Sequence, residues 1–190
     1  CATDNYKAGE LIGQYAKAAL GGKPAKIATL DLFPGHPVGA QRHNGFLKGF
    51  GLPAPDAKSN ELGKDAAVVC MADSFGDQAK GQTAMENCLQ KNPNINLVYT
   101  INEPAAAGAY KALKAAGKEK DVVIVSVDGG CAGIKDVGVI GVDSGLSHIA
   151  VALGLPHVQI YNFDTAWRTG PPPPAEPKAS PQVSVYASPC

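Results

Sequence analysis

Residues 94–130, NINLVYTINEPAAAGAYKALKAAGKEKDVVIVSVDGG, change hydrophobic period twice, and that pattern leaves few folds open. Leu97–Ile101 and Val122–Val127 are short apolar runs rich in β-branched residues, as expected of parallel strands covered on both faces. Between them, Pro104 suits the first turn of a helix and Gly117 suits its end. Ala105, Ala109 and Leu113 recur at the spacing that puts them on one helical face. The segment therefore reads as strand, helix, strand. A right-handed crossover brings the polar residues after each strand to one edge of the sheet, Asn102 and Glu103 after the first and Asp128 after the second. Open α/β sheets bind ligands at that carboxyl edge. An amide and a carboxylate placed there suit a small polar ligand. The competing reading is that Asn102 only caps the helix and Asp128 only opens the turn at Gly129–Gly130.

The same alternation runs through most of the chain. Asp4 or Asn5 caps a helix carrying Leu11, Ile12, Tyr15, Ala16 and Ala19, which stops at Gly21–Gly22. Ala25–Leu32 is the first strand, and Asp31–Gly35 is a loop at the ligand edge. Val38–Phe50 is helical, Ala66–Met71 is a strand, Ala72–Gly76 a second edge loop and Asp77–Gln90 a helix that Asn92-Pro93 ends. Val137–Val142 and His157–Tyr161 supply further strands around a helix over Leu146–Leu153. These repeats predict an α/β three-layer sandwich, a flavodoxin- or Rossmann-like parallel sheet of five to six strands. The last stretch, Gly170–Cys190, holds seven of the 15 prolines and reads as an extended tail ordered only by packing of Val183, Val185 and Tyr186.

Charge and cysteine content narrow the function. Lysine plus arginine equals aspartate plus glutamate at 17 each, with no basic run, which argues against nucleic acid and anionic membrane as partners. No apolar stretch approaches the ~18 residues of a membrane span, and no signal-peptide pattern is present. The chain starts at Cys1 rather than methionine, as a processed chain or a fragment does. Five cysteines without a C-x-x-C pair indicate neither zinc nor a dense disulfide framework. Cys70, ending a strand, and Cys88, in a helix, are expected as small core residues.

The stretches TDNYKAGELIG, QRHNGFLKGFG, GQTAMENCLQKNP, YTINEPAAAGAYKALKAAG and VVIVSVDGG resemble the C-terminal lobe of type I periplasmic sugar-binding proteins. These are the solute-binding subunits of ribose- and fructose-type ABC importers. The resemblance covers residues 1–140 and is nearest the fructose-binding branch. It implies a non-enzymatic, monosaccharide-binding lobe that needs no cofactor, works in the periplasm and serves importer membrane subunits. It also implies that Asn102 and Asp128 hydrogen-bond sugar hydroxyls. Arg42 is a further candidate, although ribose-type members carry the arginine two residues earlier, where this chain has Ala40. Phe75 is the candidate aromatic contact, with Gly76 as the other possible match. The family's N-terminal lobe is absent from the chain. The expected sugar affinity is therefore weak, about millimolar or worse, and the face that meets the other lobe is a candidate for self-association.

From about Gly138 a second resemblance takes over. GVDSGLSHIAVALGLPHVQIYNFDTAWRTGP is similar to the C-terminal lobe of lipopolysaccharide heptosyltransferases, in which a D-[ST]-G-L-x-H motif binds an ADP-heptose donor. The matching positions are Asp143, Ser144, Gly145, Leu146 and His148. Free N–H groups at a helix N-terminus, with a glycine allowing close approach, suit a phosphate. On this reading residues 138–169 form a strand–helix–strand that completes the sheet of residues 1–140, and residues 170–190 are the tail. The two families meet within Val137–Val142, so the chain reads as a chimera, whether engineered, a natural recombinant or a sequence assembled from two sources. An ADP-sugar-binding fragment and a folded chimera without ligand are the alternatives to the sugar-binding lobe.

Catalysis is not expected. The acceptor lobe that would supply a transferase base is missing. G-V-D-S-G is not a nucleophile elbow, and Asp143 lies beside Ser144 rather than behind His148. His36, His43, His148 and His157 show no metal-ligand spacing.

Overall fold

The computed structural model describes residues 3–128, together with the backbone of three later strands. The chain divides into two compact units, Ala2–Val127 and Asp128–Cys190. In the first, the order is α1 (Asn5–Leu20), β1 (Ile27–Asp31), α2 (Pro37–Phe50), β2 (Val68–Asp73), α3 (Gln78–Lys91), β3 (Leu97–Thr100), α4 (Glu103–Ala115) and β4 (Val123–Ser126). The strands form one parallel sheet in the order β2-β1-β3-β4. The chain moves one way from β1 to β2 and the opposite way from β2 through β3 to β4. With right-handed crossovers, α2 then lies on one face and α3 and α4 on the other, while α1 packs on α2. The α/β layering read from the sequence is what forms.

The strand count is a correction. This sheet has four strands, not five to six. The residues expected as the fifth and sixth strands do form β5 (Val139–Val142) and β6 (His157–Tyr161), but these pair in parallel with β7 (Gln182–Tyr186) in a separate three-stranded sheet. A parallel pair needs a connection of about a dozen residues or more, and the chain between β5 and β6 is long enough for β5 to pair with β6 within its own stretch. Of the other residues in this region nothing is described, and the expected helix over Leu146–Leu153 lies outside the described residues.

Local chemistry sets the helix ends. Asp4 caps α1 by accepting from the Lys7 N–H at 2.9 Å, Asp77 caps α3 through Lys80, and Asn102 caps α4 through Ala105. Pro37 and Pro104 stand in the first turns of α2 and α4. The core follows the predicted apolar faces except at Ala19, which is exposed because the buried stripe of α1 continues to Leu20 instead. Ile12 and Ala16 of α1 and Phe46 and Leu47 of α2 are buried on one side, with Phe46 stacked on Tyr99 at 4.6 Å between ring centres. Met85 of α3 and Ala105, Ala109 and Leu113 of α4 are buried on the other side.

Glycine lets the helices approach to backbone contact. Gly9 and Gly13 of α1 face Arg42 and Phe46 of α2, and Gly45 and Gly49 of α2 face Tyr6 and Glu10 of α1. At each of the four, a Cβ would fall inside the van der Waals shell of the opposing backbone carbonyl. The two helices thus interlock through paired G-x-x-x-G spacings.

Cys70 and Cys88 are joined in a disulfide, which ties β2 to α3 across 18 residues. This corrects their reading as independent core thiols, although both are buried as expected. The sequence separation gave no hint, because strand and following helix meet only once the sheet forms. Closing a loop of this length restricts the unfolded chain by about 3 kcal/mol. Replacing both cysteines with alanine should lower unfolding stability by roughly that amount, read from the urea midpoint, while leaving the circular dichroism of the folded chain unchanged.

Candidate functional site

The order β2-β1-β3-β4 places a topological switch point between β1 and β3, where successive connections leave in opposite directions. The crevice outside the carboxyl ends of the strands at such a point is where open α/β sheets hold ligands. The register aligns Asp31 with Asp73, Leu30 with Thr100 and Thr100 with Ser126, so the loops after all four strands leave from one edge.

A chain of hydrogen bonds fixes that edge. The Ser74 N–H donates to the Asp31 carbonyl at 2.7 Å, and the Ser74 hydroxyl donates to the same oxygen at 2.8 Å. The Phe75 N–H donates to the Leu32 carbonyl at 2.8 Å, which docks the loop after β2 onto the loop after β1. The Asn102 amide then donates to the Gly76 carbonyl at 3.1 Å while its oxygen accepts from the Ala105 N–H at 3.2 Å. Asn102 is therefore the expected cap and also the tie between two edge loops. Its amide retains a second N–H and its oxygen a second lone pair. Gly76 is required here on two counts: its φ is +67°, and a Cβ would stand 2.7 Å from the Asn102 amide nitrogen.

Arg42, projecting from α2, donates through Nε to Asn5 Oδ1 and through a terminal nitrogen to the Ile101 carbonyl, both at 2.9 Å. The guanidinium thus links the start of α1 to the end of β3, at the switch point itself. Phe75 is half exposed at 50% and lies 6.1 Å from Phe33, which is 41% exposed, with the rings stacked. The Lys80 ammonium sits over the Phe75 ring at 4.1 Å. Phe33 was not singled out in the sequence, although it stood within the quoted loop. Its only signal was an aromatic residue beside Pro34-Gly35.

Among the described residues two non-glycine positions have a left-handed backbone, Phe75 with φ +55° and Asp128 with φ +72°. Both belong to loops leaving the carboxyl ends of strands, Phe75 after β2 and Asp128 after β4, and both are exposed. A bulky side chain in this region costs of order 1 kcal/mol and persists where surrounding bonds impose it, here the Phe75 N–H to the Leu32 carbonyl and, one residue on, the Gly76 N–H to the Ser74 hydroxyl. Asp143, Ser144, Gly145, Leu146 and His148 lie outside the described residues.

Beneath the edge lies a buried pair, Asp31, expected from the sequence in an edge loop, and His43, weighed there only for metal spacing. Asp31 is 2% exposed, and its carboxylate accepts from the Thr29 hydroxyl at 2.8 Å. Its other oxygen is 2.8 Å from Nδ1 of fully buried His43, whose Nε2 is 3.0 Å from the Gly63 carbonyl. Both ring nitrogens face acceptors, so the geometry calls for the imidazolium. Burial pulls the His43 pKa down, but the Asp31 charge, its hydrogen bond and the Gly63 carbonyl together outweigh burial and leave it raised. Asp73, beside Asp31 in the register, has its carboxyl pKa raised by desolvation and then by the Asp31 charge.

A group whose pKa is higher in the folded than in the unfolded state stabilises the fold fully below its unfolded value, about 6.5 for histidine. That contribution is lost as pH rises through the folded value. Urea midpoints measured across the neutral and alkaline range should therefore fall with rising pH, and a His43→Gln variant should lose that slope. A wild-type midpoint that rises over the same range contradicts the assignment.

Comparison with known proteins places this geometry. The family model of the periplasmic binding protein domain matches residues 1–148. The ribose import binding protein RbsB of Bacillus subtilis is 34% identical over 138 residues, covering 71% of this chain and 40% of that protein. The fructose-binding periplasmic domain of a hybrid two-component system superposes with a TM-score of 0.56 at 30% identity, over 67% of this chain and 39% of that one. A Mycobacterium smegmatis protein in complex with β-D-fucofuranose superposes with a TM-score of 0.59 at 26% identity, over 70% of this chain and 42% of that one. The chain thus spans about two fifths of the length of the relatives it matches. Residues 134–187 separately match the model of glycosyltransferase family 9 (heptosyltransferase). With the first match running through residues 1–148 and the carboxyl edge built as described, the chain belongs to the periplasmic binding protein domain family.

Proposed function

We propose that the chain is a non-enzymatic monosaccharide-binding lobe, of the fructose and ribose type, that acts in the periplasm with the membrane subunits of an ABC importer. The observation that carries this reading is the left-handed Phe75, in the loop after β2 at the ligand edge of the first sheet. Backbone strain of this kind collects at ligand sites. Asn102 and Asp128 supply an amide and a carboxylate for sugar hydroxyls, Arg42 supplies a cation at the switch point, and the Phe33–Phe75 pair supplies an apolar surface for the sugar's C–H face. The Cys70–Cys88 disulfide fits an oxidising compartment such as the periplasm. Binding is weak, because a sugar needs nearly all its hydroxyls paired and one lobe offers only part of the partners.

A second reading rests on the match of residues 134–187, which favours an ADP-sugar fragment centred on Asp143–His148 in a chimeric chain. Thermal unfolding against fructose, ribose, allose, ADP and an ADP-sugar separates the two, since ligands that bind only the folded state raise the midpoint. A rise with one or more sugars alone supports the lobe. A rise with the ADP compounds alone moves the site to Asp143–His148. No shift at ligand concentrations well above millimolar identifies a folded chimera without a ligand.

A further inference from the structure

The connection between α2 and β2, residues 51–67, is held against the helix by two consecutive side chains. The Asn44 amide donates to the Glu61 carbonyl at 2.8 Å, and its oxygen accepts from the Gly63 N–H at 2.8 Å. His43 holds the other side of the same residue, through Nε2 and the Gly63 carbonyl at 3.0 Å. The first attachment is independent of pH and the second is not. We propose that His43 is a proton-controlled latch on this connection, engaged as the imidazolium and released when the ring is neutral.

Geometry decides which bond fails. A neutral imidazole keeps one N–H, and the two acceptors it faces are unequal. The Asp31 carboxylate makes the stronger, charge-assisted bond, so the remaining proton stays on Nδ1. The proton that leaves is the one on Nε2, and it goes to solvent. The Nε2 lone pair then faces a carbonyl oxygen at 3.0 Å with no hydrogen between them, in a position with no exposure to water. That contact is repulsive, and the Gly63 peptide is the movable partner because Asp31 and its strand are fixed by the sheet.

Among the described residues few groups face His43. They are Asp31 at the end of β1, the Tyr99 ring of β3 lying edge-on at 6.2 Å, and the Gly63 carbonyl of the connection. Asp73 of β2 acts on the pair only through Asp31. The neighbouring Arg42 donates from its guanidinium to Asn5 and Ile101. With one carboxylate and one carbonyl against the ring and, among the described residues, no cation facing it, release occurs above the ordinary histidine range, in the direction of the raised pKa.

Release alters a surface. Asn60–Lys64 form one wall of an open cleft of about 980 Å³, which Pro34, Pro53, Pro55 and Met71 also line. Movement of the Gly63 peptide reshapes that wall while the Asn44 attachment to Glu61 keeps the connection tethered. The latch needs no sugar and is independent of the ligand reading.

The test is a titration of the isotope-labelled full chain by nuclear magnetic resonance, from about pH 5 to pH 10 around the histidine value. The His43 ring nitrogens, the Gly63 carbonyl carbon and the Lys64 amide are followed together. The expected result is that Nε2 loses its proton while Nδ1 keeps its own. The Gly63 and Lys64 signals shift with the same midpoint, and Ala109 in α4 does not. In His43→Gln the Gly63 and Lys64 titration is lost. If that variant does not fold, coincidence of the midpoints in the wild-type chain decides. The proposal is overturned if His43 is neutral throughout, if it titrates without Gly63 and Lys64, or if those signals titrate equally in the variant.

Discussion

Replacing Gly49 with valine is expected to destabilise the amino-terminal unit by about 3 kcal/mol or more, at the upper end of what overpacking costs. The Gly49 position touches the Glu10 backbone of α1, and the branched side chain has no flexible neighbour to displace. Relief comes from moving α1 away from α2, which loosens the closest helix contact of the unit. Typical domains are stable by only about 5–15 kcal/mol, so this one substitution removes a large share. Urea unfolding reads the effect directly. Lys111→Ala, at an exposed position of α4, is the control and should change stability by about 0.5 kcal/mol or less. A Gly49→Val chain as stable as the control means that the helices do not meet through backbone.

The second large effect concerns binding. Asp128→Asn should weaken the best-bound sugar by about tenfold to a hundredfold, the loss expected when a charged hydrogen-bond partner becomes neutral. Asparagine tolerates the left-handed conformation at least as well as aspartate does, so the unfolding midpoint should barely move. Asn102→Ala should lose sugar binding as well, but with about 1 kcal/mol of stability, because the side chain also caps α4. Isothermal titration and thermal unfolding of the two variants separate a ligand contact from a purely structural role. An Asp128→Asn chain that binds sugar like the wild type removes Asp128 from the site.

Much of this architecture was legible because it is local. Leu97–Ile101 and Val122–Val127 announced themselves by β-branched runs, and Asp77 and Pro104 mark helix starts where the structure has them, while of the two caps offered for α1 the structure uses Asp4. Asn102 was legible twice over, as a cap and as a residue at a strand's carboxyl end. What stayed hidden depends on pairing across the fold. Nothing in the Val137–Val142 run says which neighbour it will take, and it pairs with β6 in a second sheet. Cys70 and Cys88 meet only because β2 and α3 pack together. The glycines at 9, 13, 45 and 49 were visible as letters, but a period of four glycines reads equally well as helix-weakening residues until the opposing backbone is known. The left-handed Phe75 ran against every local expectation, since a phenylalanine seldom adopts that backbone. Such a conflict between local preference and fold is where a ligand site is expected.

The site reading is tested most directly by mapping amide shifts of the labelled chain while fructose, ribose and allose are added in turn. The account predicts saturable shifts, at concentrations of about a millimolar or above, confined to Phe33–Gly35, Ser74–Gly76, Asn102–Ala105 and Asp128. Shifts centred instead on the outer faces of α1 or α4, or no saturable shift with any of the sugars, would contradict it.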